Sequence, residues 1–225
     1  MELAATPAAE GTKSVILRTA LDLFRSSGFE LTTMRDIARA AHVATGAAYY
    51  YFPSKEAIVS AYYEQVQSLH AEKVREAWKV TQGLRARLGV LLHLKLEILK
   101  DDRRFLGALF RYTGEPNHPL SVFGEGSQRQ RSQSIELFRE AIAGSNLNDE
   151  LWQLLPPLLW LGYLGIVLSL IHDETEGQKK THKFVDGALD LLVQAVEWSN
   201  SPLIRPFIQP FQSRVLRLMQ DSGWV

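Results

Sequence analysis

The chain has 225 residues, of which 46 % are hydrophobic and 22 % charged, with 25 Lys and Arg balanced by 25 Asp and Glu. That length and balance suit a soluble protein with one large or two small cored domains, and zero net charge excludes binding nucleic acid by bulk charge alone. The absence of cysteine excludes disulfides, thiol catalysis and cysteine-bound zinc, and it fits a reducing cytoplasm.

Residues 1–11 lack the basic start and apolar run of a signal peptide and carry little that could pack, so this stretch is expected to be disordered. From Thr12, a possible cap, Ile16, Ala20, Leu23 and Phe24 mark one apolar face of a helix that should end at Gly28 in a left-handed turn. Thr33 can cap a second, short helix in which Met34, Ile37, Ala38 and Ala41 recur at helical spacing, stopping at His42. A third, over 45–51, follows after a turn too short to do anything but set the two helices at a steep angle, the helix-turn-helix arrangement. There the later helix enters the major groove N-terminus first. Thr45, Gly46 and Ala47 then come nearest the base edges, Tyr49, Tyr50 and Tyr51 flank them, and Lys55 opens the next helix beside the phosphates. Short helices of alanine and tyrosine also occur as plain core fragments, so the turn alone does not decide between duplex DNA and a structural role.

The whole string over 31–55, LTTMRDIARAAHVATGAAYYYFPSK, resembles the TetR/AcrR family of regulators in its TTMRDIA, its short turn, its aromatic recognition helix and its P-S-K-E opening of a long fourth helix. The likeness covers about 16–58. It implies an all-α fold with an N-terminal three-helix helix-turn-helix DNA-binding domain, 12–58, and a larger C-terminal helical ligand-binding and dimerisation domain, 59–225. It further implies a homodimer on a near-palindromic double-stranded DNA operator, most simply a repressor released by a small-molecule effector, with no cofactor. By matching motif positions, Thr33 and Arg35 look like groove or phosphate contacts, Thr45, Gly46 and Ala47 like base-facing residues, and Tyr49, Tyr51 and Lys55 like backbone contacts. Three positions depart from the pattern: His42 stands where the family has glycine, Ala44 where it has a capping serine, and Ala48 where it has a leucine plug. A left-handed turn is costlier for histidine than for glycine, and loss of a serine cap costs about 1 kcal/mol.

Beyond the motif, Ser54 can cap a helix of some seven turns whose stripe is Ile58, Tyr62, Val66, Leu69, Val74 and Trp78. Helices are expected over 84–100, 102–112 and 127–143, with 113–126 a loop of prolines and glycines. The stretch 151–171 has no charged residue and is long enough to span a membrane. Gln153, Pro156-Pro157, the lack of basic flanks and the lack of a second such segment favour a core helix instead. A helix apolar all round must be covered on every side, most simply in part by a second copy of the chain, and Gly162 and Gly165 would admit a close partner. A helix over 178–200 follows, and the two look like the family's dimer-forming pair. The expected interface comprises Trp160, Gly162, Gly165 and Ser169 on the first and Phe184, Ala188, Leu191 and Ala195 on the second. A last helix should pack back through Phe211, Val215 and Leu218.

There is no Gly-rich phosphate loop, H-E-x-x-H helix or G-x-S-x-G elbow, so nothing starts an enzymatic reading. His172, Asp173, Glu174 and His182 could converge as metal ligands, but a solvated polar turn explains them better. Trp78, His93, Phe110, Tyr112, Trp160 and Tyr163 could line an effector cavity between helices four to eight, or be ordinary core. An effector site there needs about 300 Å³ or more. The rival reading is an all-helical dimeric structural or interaction protein anchored on DNA without an effector.

Overall fold

The computed structural model describes residues 7–115 and 117–222, with side chains from Gly11 onward. All regular structure among them is helical. The expected disordered N-terminus is partly corrected: residues 1–6 lie outside the described residues, but α1 already runs Pro7–Ser27. Proline is accommodated at a helix start, and Ala8, Ala9 and Glu10 are strong helix formers.

The helices fall into two units. The first comprises residues up to 66 together with 102–128, a stretch that chain order would place with the C-terminal part. It holds α1, α2 (Met34–Ala40), α3 (Thr45–Tyr51), the start of α4 (Lys55–Trp78) and α6 (Arg103–Phe110). Ile16, Ala20, Phe24, Ile37, Ala38, Ala48 and Ile58 are fully or almost fully buried there. α1 closes at Gly28, whose φ of 90° is cheap only without a Cβ. Phe24 stacks on Phe105 at 5.7 Å and meets Phe29 edge-on at 5.1 Å.

Asp102 ties α6 to α1 and α4. Its carboxylate accepts from Arg25 Nε at 2.6 Å and Nη2 at 3.2 Å, and from the Tyr62 hydroxyl at 2.5 Å. Burial first, then the bond to Asp102, pushes the Tyr62 hydroxyl well above its usual range.

The second unit contains 67–101 and the residues from 129 on: the end of α4, α5 (Leu84–Leu99), most of α7 (Gln128–Ile142), α8 (Asp149–His172), α9 (Lys179–Asn200) and α10 (Arg205–Asp221). Two stripes differ from expectation. On α4 the buried line through both units is Ile58, Tyr62, His70, Val74 and Trp78, while Leu69 is exposed; the four-residue step selects position 70 even though it carries histidine. On α10, which starts at Arg205 despite Pro206 and Pro210, Phe211 and Leu218 face outward and Gln212 is buried, bonded to the Asn148 amide at 3.0 Å. The α8–α9 turn is anchored by Asp173, whose oxygens accept from the amides and hydroxyls of Thr175 and Thr181 at 2.5 to 3.0 Å. Burial alone would raise its pKa, and these four bonds outweigh that to hold it below the usual carboxylate range.

α8 is long and apolar enough to cross a membrane by length and composition only. Leu154, Leu155, Trp160, Ile166, Val167 and Leu170 are nevertheless buried within the unit, against neighbours that include α9 and α10.

Candidate nucleic-acid interface

The reading head is built on a braced α2. Thr33 accepts from the Asp36 amide at 3.2 Å, and the Asp36 carboxylate accepts from the Thr33 amide at 3.1 Å and hydroxyl at 2.6 Å, a complete capping box. Those bonds hold Asp36 below the usual carboxylate range. The helix ends as His42 takes the left-handed conformation, φ 54°. α3 begins at Thr45, and Ala44 before it gives no side-chain cap, as the sequence implied. Its Ala48 is buried with no exposed surface, filling the place of a larger plug.

Thr33, Arg35, Thr45, Gly46, Tyr49 and Tyr50 are exposed, and Ala47 and Tyr51 are half-buried, so one outward face gathers hydroxyls, a guanidinium and the start of α3. Tyr50 and Tyr51 meet edge-on at 5.1 Å. Arg35 forms no ion pair among the described residues, whereas Arg39 is held by Asp36 at 3.2 Å. Lys55 is engaged inside the unit: its ammonium donates to the Phe29 carbonyl at 2.7 Å and the Glu30 carbonyl at 3.3 Å, and lies 4.6 Å from the centre of the Phe29 ring. It braces the end of α1 from the first turn of α4.

The six expected pocket residues are divided between the two units. Phe110 and Tyr112 belong to the first unit, where Tyr112 stacks on His118 and donates its hydroxyl to Glu30. In the second, the Trp78 indole N–H donates to the Arg87 carbonyl at 3.0 Å beneath the Arg87 guanidinium, whose other N–H groups cap the end of α7. His93 meets His182 at 2.7 Å and Asp186 at 3.1 Å on the α5–α9 contact. Trp160, at 3 % exposure, is protomer core and is corrected as an interface residue. Only Tyr163 of the six lines the cavity found between α4, α5, α7 and α8, whose other walls include Gln67, His70, Leu91, Lys95, Leu137 and Phe138. Its volume is about 10 Å³, roughly one water molecule. Sequence reasoning missed Lys95 and His70. Their signal was positional, a cation and an imidazole standing in otherwise apolar stripes.

The metal ligands weighed at the α8–α9 turn form no set, and among the described residues no cluster of three suitable side chains is found.

A braced helix pair with an exposed, polar second helix defines a helix-turn-helix DNA-binding protein. Residues 16–62 match the family of bacterial regulatory proteins of the tetR type, and residues 87–209, over half the chain, match the tetracyclin repressor-like C-terminal domain. The chain belongs to the TetR family of DNA-binding transcriptional regulators. The HTH-type transcriptional regulator RutR of Escherichia coli is 34 % identical over 94 residues, 42 % of this chain and 44 % of that protein. The chain thus matches less than half the length of that curated relative. Among solved structures, the TetR regulator from Nitrosomonas europaea aligns with TM-score 0.65 at 20 % identity over 80 % of this chain and 96 % of that one. Thermus thermophilus FadR, a TetR-family repressor in complex with lauroyl-CoA, aligns with TM-score 0.57 at 22 % identity over 79 % and 92 %. At these identities the likeness is one of fold. Family and relatives are regulators, and the chain is not an enzyme.

Proposed function

We propose that this chain is a cytoplasmic homodimeric repressor that holds a near-palindromic operator and lets go when a small, mainly apolar molecule enters its second unit. The observation carrying the reading is the outward face of α2 and α3 on an internally bonded frame: it offers Arg35 to phosphate, with Thr33 beside it, and Thr45, Gly46 and Ala47 to base edges. Tyr49, Tyr50 and Tyr51 flank that edge. Lys55 acts through the frame it braces, with any phosphate contact secondary.

The dimer uses α8 and α9. Leu158, Gly162, Gly165 and Leu168 on one, and Phe184, Ala188, Leu191, Ala195 and Trp198 on the other, are exposed at helical spacing. Apolar surface left in water costs about 25 cal/mol per Å², so a second copy is the natural cover. Ser169, bonded to Thr181 at 3.2 Å, sits at the edge of this stripe.

The rival, a DNA-anchored dimer without effector, is favoured by one observation: the cavity of about 10 Å³ is far short of a ligand's volume, so release requires the helices around it to part.

The test is a binding titration on selected operator DNA and on random DNA. Arg35→Ala should weaken both by similar factors and lower the salt dependence, while Thr45→Val should change which sequences bind. Salt-independent binding, or no loss with Arg35→Ala, would sink the assignment. Failure of every bound small molecule to change operator affinity would leave the rival.

A further inference from the structure

The four-helix cavity combines two unmet needs. Lys95 is 6 % exposed, yet its ammonium has one neutral hydrogen-bond acceptor, Gln67 Oε1 at 3.1 Å, and lies 5.8 Å from the centre of the Tyr163 ring. Among the described residues, no carboxylate lines the cavity. A buried cation without a counter-charge is costly to keep and becomes favourable only when an anion arrives. His70, 2 % exposed, is fixed by its Nε2–H donating to the Leu91 carbonyl at 2.8 Å, which leaves Nδ1 as a bare acceptor without a hydrogen-bond partner. The remaining walls are Leu91, Leu137 and Phe138, with Ser134.

We infer that this cavity is the polar end of the effector site and selects an organic acid. The ligand's carboxylate becomes the counter-charge of Lys95, a hydroxyl or N–H beside it donates to His70 Nδ1, and its apolar remainder wedges between α7 and α8. The inference rests on the proposed effector reading and narrows it to a class of ligand. The covalent bonds of the ligand are unchanged. The one chemical event is proton uptake: burial holds the Lys95 ammonium down to about 7, so at higher pH the empty site is largely neutral and gains a proton as the carboxylate enters. The other titratable groups lining the cavity are His70, which burial keeps neutral with a pKa of about 3, and Tyr163; α7 contributes none. Affinity for an acid should therefore fall as pH rises above 7, by up to roughly tenfold per unit.

The experiment is calorimetry on the full chain with 2-hydroxyoctanoate, octanoate and 1,2-octanediol at pH 6.5, 7.5 and 8.5, in buffers of different ionisation enthalpy. The expected result is tighter binding of the acids than of the diol by tenfold or more, with the hydroxy acid ahead of octanoate and one proton taken up at pH 8.5. Lys95→Met, which replaces the cation by an apolar chain of similar length and needs no counter-charge, should erase both the preference and the proton uptake. Equal binding of acids and diol by the unmodified chain, binding of none of the three, or an acid preference that survives Lys95→Met overturns the inference. If acids bind as expected and operator affinity does not change, the site stands and the release reading fails; if a neutral molecule releases the operator while acids are ignored, the reverse holds.

Discussion

Lys95 makes the stability of the chain depend on pH in a direction that can be worked out. Burial lowers its pKa to about 7 from 10.5, so between those values the unfolded chain carries the extra proton and stability rises with pH. The penalty is complete below about 7. Lys95→Met should be the more stable protein at pH 7, and its lead should shrink steadily toward pH 10 in denaturant titrations; parallel curves would mean that Lys95 is hydrated. His70 has the same sign at lower pH. Held at about 3 against an ordinary 6.5, it adds a loss of stability as pH falls below 6.5, because the unfolded imidazole takes the proton that the folded one refuses. The reading head offers a residue-scale test of another kind. Thr33→Ala removes the hydroxyl that accepts from the Asp36 amide and should cost about 1 kcal/mol, measured by thermal melting. Both buried groups stand where the period of their helix demands an inward residue. Position 70 continues the four-residue step of α4, and Lys95 stands among Leu88, Leu91, Leu92, Leu96 and Leu99, so their burial was legible from spacing.

Among the elements, α3 and α6 are the most instructive. α3 has seven residues and no cap, so Ala44→Ser should stabilise the first unit by about 1 kcal/mol if the hydroxyl reaches an orphan amide of the first turn. An unchanged melting temperature would show that the backbone at 44 does not present its side chain to those amides. α6 packs into the first unit through Phe105, Leu106 and Leu109, and the buried carboxylate of Asp102 just before it adds a polar tie. Asp102→Ala would strip Arg25 of its closest ion-pair partner and leave the Tyr62 hydroxyl buried without its acceptor, at a cost of about 1–3 kcal/mol. Denaturation followed by tyrosine fluorescence would register it, and a neutral result would mean that water replaces the carboxylate. The boundaries of α2, α3, α4, α5, α8 and α9 were legible within a few residues, because caps, glycines and prolines punctuate them. α10 was not. The spacing of Phe211, Val215 and Leu218 set no start for it, and Pro206 lies in its first turn, where the missing amide costs nothing.

For the molecule as a whole, the exposed stripes on α8 and α9 decide what state it should adopt in solution. Gly165→Glu or Ala188→Glu, each placing a carboxylate on an exposed position of that surface, should convert a sub-micromolar dimer to monomer or aggregate in sedimentation velocity. A stable monomer of the unmodified chain would refute the pairing, and recovery only from detergent would reopen the membrane reading of α8. Because zero net charge leaves little attraction at long range, DNA binding has to come from a local surface, and the proposed dimer would present the face of α2 and α3 twice. The two heads should then sit about 34 to 36 Å apart or a longer helical-turn multiple.

The sequence by itself determined the all-helical class, the helix-turn-helix and the family, since capping residues, turn lengths and the 31–55 string act over a few neighbouring positions. Tertiary structure alone decided which side chains meet across distances in the chain. Asp102 finds Arg25 and Tyr62, Lys55 turns inward to the carbonyls of Phe29 and Glu30, and Trp160 faces its own core rather than a partner. Local rules set the period of a helix but leave its rotation about its own axis free, and packing against the neighbouring helices fixes that rotation. Lys95, His70 and Tyr163 share one cavity because four such rotations agree.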